Sequence, residues 1–222
     1  MAVRPVVGYL FDVDNTLLDN DAAQADYRAH LARESGPEAA ERYWAIFLER
    51  RREVGYADYL GALQRYRLER LHDPRLLLMS SFLLDYPFAD RLYPGAMAVL
   101  ERYGRRGITI VFSDGDVVFQ PRKVERAGIR HAVEDRVLIC VHKEQELADV
   151  ERFYPADHYV LIDDKLRILT AVKRAWGSRV TTVFARQGHY AHDPELLAAY
   201  PPADVSIERI GDLLDLDVGR TT

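Results

Sequence analysis

Five short apolar runs constrain this chain more than any other feature. Val6–Phe11, Ile108–Phe112, Val137–Val141, Tyr159–Ile162 and Val180–Phe184 are almost unbroken in apolar residues, with little of the period-two alternation of a half-exposed strand. Runs of that kind belong to strands covered on both faces. The last four begin about 20 to 30 residues apart, which leaves room for one crossover helix each. Helical patterns fill the gaps: Pro94–Tyr103, Val117–Ala127 with Pro121 disturbing its first turn, Glu144–Phe153, Lys165–Trp176 closed by Gly177, and a last helix over Ile207–Leu216. Alternating strand and helix predict an α/β fold with a Rossmann-like parallel sheet.

One gap breaks the rhythm. About 95 residues separate the first strand from the second. From Asp21 to Asp85 the apolar residues, among them Tyr43, Trp44, Ile46, Phe47, Tyr59, Leu63, Tyr66 and Leu71, recur at helical spacing, and no strand pattern is convincing. The expected organisation is a discontinuous α/β core, residues 1–18 and 92–222, with an inserted all-helical cap over 19–91 that has a small core of its own.

Composition narrows the function classes. The chain has 222 residues, enough for an ordinary core without disulfide or structural-metal support. Acidic residues exceed basic ones, 35 to 30, for a net charge of −5, which argues against a nucleic-acid partner. The single cysteine, Cys140, excludes an intrachain disulfide and any multi-cysteine zinc site, and a reducing cytoplasm fits best. Apolar stretches of about six residues fall far short of the ~20 a membrane span needs, and Asp12 and Asp14 interrupt the N-terminal run too early for a signal peptide. A small-molecule partner is expected, with neither nucleic acid nor membrane; oligomeric state is left open.

Ligands in parallel α/β sheets bind beyond the carboxyl ends of the strands. The first run delivers Asp12 and Asp14 there, the second Ser113 and Asp114, the third His142 and Lys143, and the fourth Asp163 and Asp164. Asp12 and Asp14, two residues apart, point the same way if the strand persists, and such paired carboxylates call for a compensating cation. Oxygen-only ligands suit Mg²⁺. Asp164 completes the carboxylate set, Lys143 adds a fixed positive charge and Ser113 a hydroxyl donor.

This set resembles the haloacid dehalogenase superfamily of hydrolases. Its first motif, D-x-D-x-T after an apolar strand, is matched by Asp12-Val13-Asp14-Asn15-Thr16; its second by Ser113, its third by Lys143 and its fourth by Asp163-Asp164. Leu92-Tyr93-Pro94-Gly95 is also typical of the segment that follows a helical cap in this family, so the resemblance covers the whole chain. It implies that Asp12 attacks phosphorus to form an aspartyl-phosphate. Asp14 then serves as acid and base, and Mg²⁺ is held by Asp12, Asp164 and the Asp14 carbonyl, with Asp163 a further candidate ligand. Lys143 and Ser113 bind the remaining phosphoryl oxygens. Asp14 favours an oxygen leaving group, hence a phosphatase acting on a small phosphorylated metabolite, because halide departure needs no proton. Alternatives are a carbon–halide hydrolase, a phosphomutase, and a phospho-acceptor or binding module without turnover.

The chain also departs from the family pattern. Asp114 stands where Asn commonly follows the second-motif Ser, and Glu144 stands where Pro often follows the Lys. Lys123, inside the helix expected after Ser113, ranks below Lys143 as the site lysine. Arg50-Arg51-Arg52 reads as a solvated helix face in preference to an anion grip. His189 and His192 lie in the loop after the fifth strand and are read as solvent-facing in preference to metal-binding, and Cys140 as inert in a strand.

Overall fold

The computed structural model describes residues 6–219. All five expected strands form: β1 (Val7–Phe11), β2 (Ile108–Asp114), β3 (Val137–Cys140), β4 (His158–Asp163) and β5 (Val180–Ala185). A sixth, β6 (Val205–Ile207), lies at the edge, and the fully parallel order is β3-β2-β1-β4-β5-β6. A three-residue edge strand carries too few side chains to leave a periodic signature. It takes the first residue of the helix expected over Ile207–Leu216, and the rest of that span is a single 3₁₀ stretch, Ile210–Leu214, with Gly211 packed against Gly95. β2 and β4 run further than their apolar cores, so Ser113, Asp114 and Asp163 are the last strand residues, fixed by the ladder.

β1 sits in the middle, paired with β2 on one side and β4 on the other. The chain leaves β1 in one direction and resumes on its other side with β4, which makes this the crevice where α/β sheets hold ligands. Alternate residues of the strands feed two cores. Leu10, Ile110, Phe112 and Leu161 pack with Leu147, Ile168 and Leu169 on one face. The helices there are α8 (Leu147–Phe153) and α9 (Leu166–Trp176). On the other face Phe11, Val111 and Ile162 pack with Val99, Val124 and Ile129, carried by α5 (Ala96–Gly104), α6 (Phe119–Arg126) and α7 (Ile129–Ala132). α6 starts two residues later than expected because the Asp116 carboxylate accepts the backbone N–H groups of Val118 (2.8 Å) and Phe119 (2.6 Å) and so delimits its first turn. The helix expected from Glu144 is a 3₁₀ turn over Lys143–Gln145 followed by α8.

The long gap is helical throughout: α1 (Asn20–Ser35), α2 (Pro37–Val54), α3 (Tyr59–Glu69) and α4 (Leu76–Asp85). Asp19 and Asp58 cap α1 and α3 through Ala22 N–H (2.9 Å) and Gly61 N–H (2.8 Å), and Pro37 opens α2. The incoming and outgoing chains run side by side, with Asp19 N–H donating to Arg91 O (2.7 Å) and Tyr93 N–H to Leu17 O (3.0 Å). The helices do not keep a separate core. Tyr27, Tyr43, Trp44, Phe47 and Tyr59 form an aromatic cluster, and Tyr59 meets Phe119 of α6 with ring centroids 4.8 Å apart, so one apolar cluster runs from these helices to the sheet. Aromatic rings bridge the gap because their size and edge-to-face contacts give large burial per residue.

Candidate active site

Asp12 follows β1 directly and is buried. Its Oδ1 accepts hydrogen bonds from Lys143 Nζ (2.6 Å) and Ser113 Oγ (3.1 Å), while Oδ2 is buried without a hydrogen-bond partner. Lys143 Nζ also contacts Asp163 Oδ2 at 2.5 Å, so one fully buried ammonium spans two carboxylates from adjacent strands. Asp163 Oδ1 accepts the backbone N–H of Lys165 (2.8 Å), which holds the turn into α9. Asp164 is different. It is buried, neither of its oxygens accepts a hydrogen bond, and its nearest cation is Lys165 Nζ at 3.7 Å.

Three carboxylates, Asp12, Asp163 and Asp164, bring ligand atoms within 4.8 Å of one another. Two ammonium groups, Lys143 and Lys165, face them. The cluster therefore keeps one uncompensated negative charge when all five groups are ionised. Burial opposes charge on Asp12, but Lys143, Lys165 and the Ser113 hydroxyl outweigh it and hold its carboxyl below the ordinary range. Burial pushes Asp163 up despite Lys143, and pushes Asp164 well up, because Asp163 and Asp12 add repulsion that Lys165 does not offset. Buried oxygens with no donor beside a second carboxylate are a demand for a cation. The donor set, all oxygen, is of the kind Mg²⁺ takes.

The Asp14 carboxylate lies outside that trio. It accepts from Lys123 Nζ (2.7 Å) and Gln120 Nε2 (3.4 Å), both on α6. Lys123 is fully buried and donates in addition to Asn20 Oδ1 (3.0 Å), the first residue of α1. The two lysines thus divide the work: Lys143 serves Asp12, and Lys123 serves Asp14. The Asp114 carboxylate accepts the backbone N–H of Lys143 (2.7 Å), and burial pushes its carboxyl up. It positions the lysine's backbone, which explains how an acid is tolerated there.

A turn after β1 ties the cap helices to the sheet. Asn15 takes φ +59°, and its Oδ1 accepts the N–H groups of Asn20 (3.0 Å) and Asp21 (3.2 Å). Asp21 in turn receives His189 N–H (2.8 Å) and contacts His189 Nδ1 (2.7 Å), so that histidine holds a carboxylate. Gly188, at φ +68°, lies so close to Asn15 that a Cβ there would come within 2.4 Å of its side chain. On the opposite side Gly55, which ends α2 at φ +85°, would bring a Cβ to 2.5 Å of the His142 ring. The second contact sets the end of α2 against the rim of the sheet, and the first holds the Asn15 turn that receives the start of α1.

Lys165, Gln120 and Asn20 escaped sequence reasoning. Lys165 left one signal, a cation immediately after two adjacent acids. Gln120 and Asn20 left none, since both act through contacts made by distant elements. Cys140 is half-buried in β3, opposite Asp114 in the ladder, and burial together with the Asp114 carboxylate pushes its thiol up to about 12.

The profile of the haloacid dehalogenase-like hydrolases matches residues 7–175, and the chain belongs to that family. It is 63% identical to a haloacid dehalogenase-like hydrolase from Burkholderia xenovorans LB400, with 96% of this chain and 99% of that one covered and a TM-score of 0.91. More distant structures share the fold. An L-2-haloacid dehalogenase from Xanthobacter autotrophicus is 18% identical, with 97% and 100% of the chains covered and a TM-score of 0.66. YfnB from Bacillus subtilis, described as a HAD hydrolase bound to magnesium, is 15% identical, with 96% and 98% covered and a TM-score of 0.61. No curated protein matches the chain. The chain is therefore a hydrolase of this family, and no helix among the described residues is long and apolar enough to cross a membrane.

Proposed function

We propose that the protein is a Mg²⁺-dependent phosphatase that hydrolyses a small phosphorylated metabolite through an aspartyl-phosphate. One observation carries this reading: Asp164 presents two buried oxygens without hydrogen bonds beside the unpartnered Asp12 Oδ2. Carbon–halide displacement has no use for the cation that such a cluster asks for, whereas phosphoryl transfer does.

Asp12, Asp164 and the backbone carbonyl of Asp14 would hold the ion, with Asp163 beside them. When bound, it neutralises charge on a phosphoryl oxygen. Asp12 Oδ2 attacks phosphorus, forming the aspartyl–phosphorus bond as the ester P–O bond breaks. Lys143 and Ser113 fix the nucleophile through its other oxygen and offer donors to the phosphoryl group as its charge spreads. Asp14, in its acid form, exchanges its Lys123 contact for the leaving oxygen and gives it a proton, and the water that cleaves the acyl phosphate returns a proton to Asp14, so that each turnover restores it. The helices over the rim exclude bulk water. Nucleic acid and membrane have no part in this reading.

A metal-free carbon–halide hydrolase is the second reading, and one contact favours it: Lys165 at 3.7 Å from Asp164 supplies some of the compensation a metal would give. The test is direct. With Mg²⁺ the purified protein is expected to release phosphate from an aryl phosphate, to stop when the ion is chelated, and to lose activity on Asp12→Asn. Halide release from a 2-haloacid in chelator, with no phosphate release, would replace the first reading by the second.

A further inference from the structure

A cavity of about 290 Å³ opens beside Asp14 and Asp114, at the lower end of the range for small-ligand sites. Its inner end is formed by Asp14, Asp114 and Lys165; Leu196, Leu197 and Tyr200 line it as well, and Arg51 enters from α2. The walls mix polar and apolar side chains, and Arg51, Lys165 and Arg167 are the lysine and arginine side chains among them.

Arg51 differs from its neighbours. Arg50 is bound to Asp58 (2.7 Å) and Glu53 (3.1 Å), Arg65 to Glu53 (2.8 Å), and Arg75 to Asp73 (2.7 Å). Arg52, on the outer surface, donates to the carbonyl of Leu48 (3.3 Å). Arg51 has no carboxylate partner among the described residues. Its guanidinium stands 5.6 Å from the centre of the Tyr190 ring, and Lys165 Nζ stands 5.4 Å from the centre of the same ring. Of the other cavity cations, Arg167 is committed to Glu144 (2.5 Å) and Lys165 faces Asp164. A half-buried guanidinium without an anion, at a cavity wall lined by tyrosine and leucine, leaves five donors in a fixed fork unmatched by any carboxylate.

We propose that Arg51 is a specificity residue, and that the substrate's leaving group carries a second anionic group, a carboxylate or a second phosphate, seated against the Arg51 guanidinium, which the Tyr190 ring holds in place. The inference rests on the phosphatase reading and sharpens its substrate class to phosphate monoesters of acidic alcohols. The cavity volume suits a small metabolite, and the leucine and tyrosine walls take its apolar edge.

The experiment is a comparison of kcat/KM across four size-matched classes: phosphorylated hydroxy-acids, bisphosphates, phosphorylated neutral polyols and an aryl phosphate. Each is measured on the wild type, Arg51→Gln, Arg51→Lys and Arg52→Gln. The wild type is expected to favour at least one anionic class over the neutral polyol phosphates by about 10- to 100-fold, the range of a charge-assisted bidentate contact. The hydroxy-acid and bisphosphate arms tell carboxylate from phosphate. Arg51→Gln is expected to bring that ratio near one, chiefly through KM; Arg51→Lys keeps part of it, and Arg52→Gln leaves it intact. A flat wild-type panel, or an Arg51→Gln variant that slows every class equally, would overturn the inference and leave the phosphatase reading standing. Failure to hydrolyse any monoester would remove both.

Discussion

Two regions of this molecule handle charge in opposite ways. At the rim of the sheet, Asp12, Asp163, Asp164, Lys143 and Lys123 are all buried, and the carboxylates facing Lys143 and Lys165 outnumber them. In the cap helices the charges lie mostly at the surface in pairs, such as Arg42 with Glu69 and Arg65 with Glu53, while the interior is aromatic. The cap follows ordinary rules, with apolar contact supplying stability and surface pairs supplying little. The rim holds charge where it is costly, which is how a site stores the capacity to bind something. Stability and function are therefore expected to respond differently to the same kind of substitution in each place.

The largest effect is expected at Lys143. Lys143→Met leaves Asp12 and Asp163 buried without their shared cation, a loss of about 3–5 kcal/mol for a broken buried pair. Denaturant unfolding would detect it, and turnover would vanish in the fraction still folded. Asp164→Asn should act with the opposite sign on stability. It removes an uncompensated buried charge, so in chelator the variant should be more stable than the wild type by about 1–2 kcal/mol, the direction expected when an unmatched buried charge is taken away. That is roughly 2–4 °C in thermal midpoint per kcal/mol for a chain of this size. The same variant should lose metal-dependent turnover. A wild type that outlasts Asp164→Asn in chelator would mean that Lys165 already balances this carboxylate.

In the cap, Arg42→Gln removes an exposed pair and should leave the thermal midpoint unchanged. The smallest effect is a pH dependence where cap and core join. The Asp26 carboxylate accepts from the Tyr86 hydroxyl and from Arg91, which hold its carboxyl below the ordinary value of 3.8. A carboxyl lowered in the folded state contributes stability above its unfolded value, and the contribution is lost as pH falls through the folded one. Wild type and Asp26→Asn should therefore differ slightly in unfolding midpoint at pH 6, with the difference starting to shrink near pH 4 and vanishing only below the lowered folded value. A difference that grows on acidification would contradict the assignment.

The contrast also explains what could be read from the residues in order. The β1, β2, β4 and β5 runs were legible because strands buried on both faces have little freedom in composition. The positions of Asp12, Ser113 and Asp163 followed from them, since a ladder fixes whatever stands at its end. The helical nature of residues 21–85 was legible from spacing. Its merger with the main core was not, because Tyr59 and Phe119 meet only once α3 and α6 are packed together. β6 was lost for lack of length. Among the cations, Lys143 stood out by its place after β3, whereas Lys123 looked like one more helix lysine until Asp14 and Asn20 closed around it. Arg50, Arg51 and Arg52 are alike as letters; only the faces of α2 tell the paired one, the cavity one and the outer one apart.

The claim on which the functional reading rests is that the buried carboxylate cluster is built for a cation. Calorimetric titration of Mg²⁺ into metal-free protein, in parallel with Asp164→Asn, tests it most directly. The expected result is saturable binding of one ion per wild-type chain, with a matching rise in thermal midpoint, and neither in the variant. Absence of binding by the wild type at millimolar Mg²⁺, or equal binding by the two proteins, would contradict it.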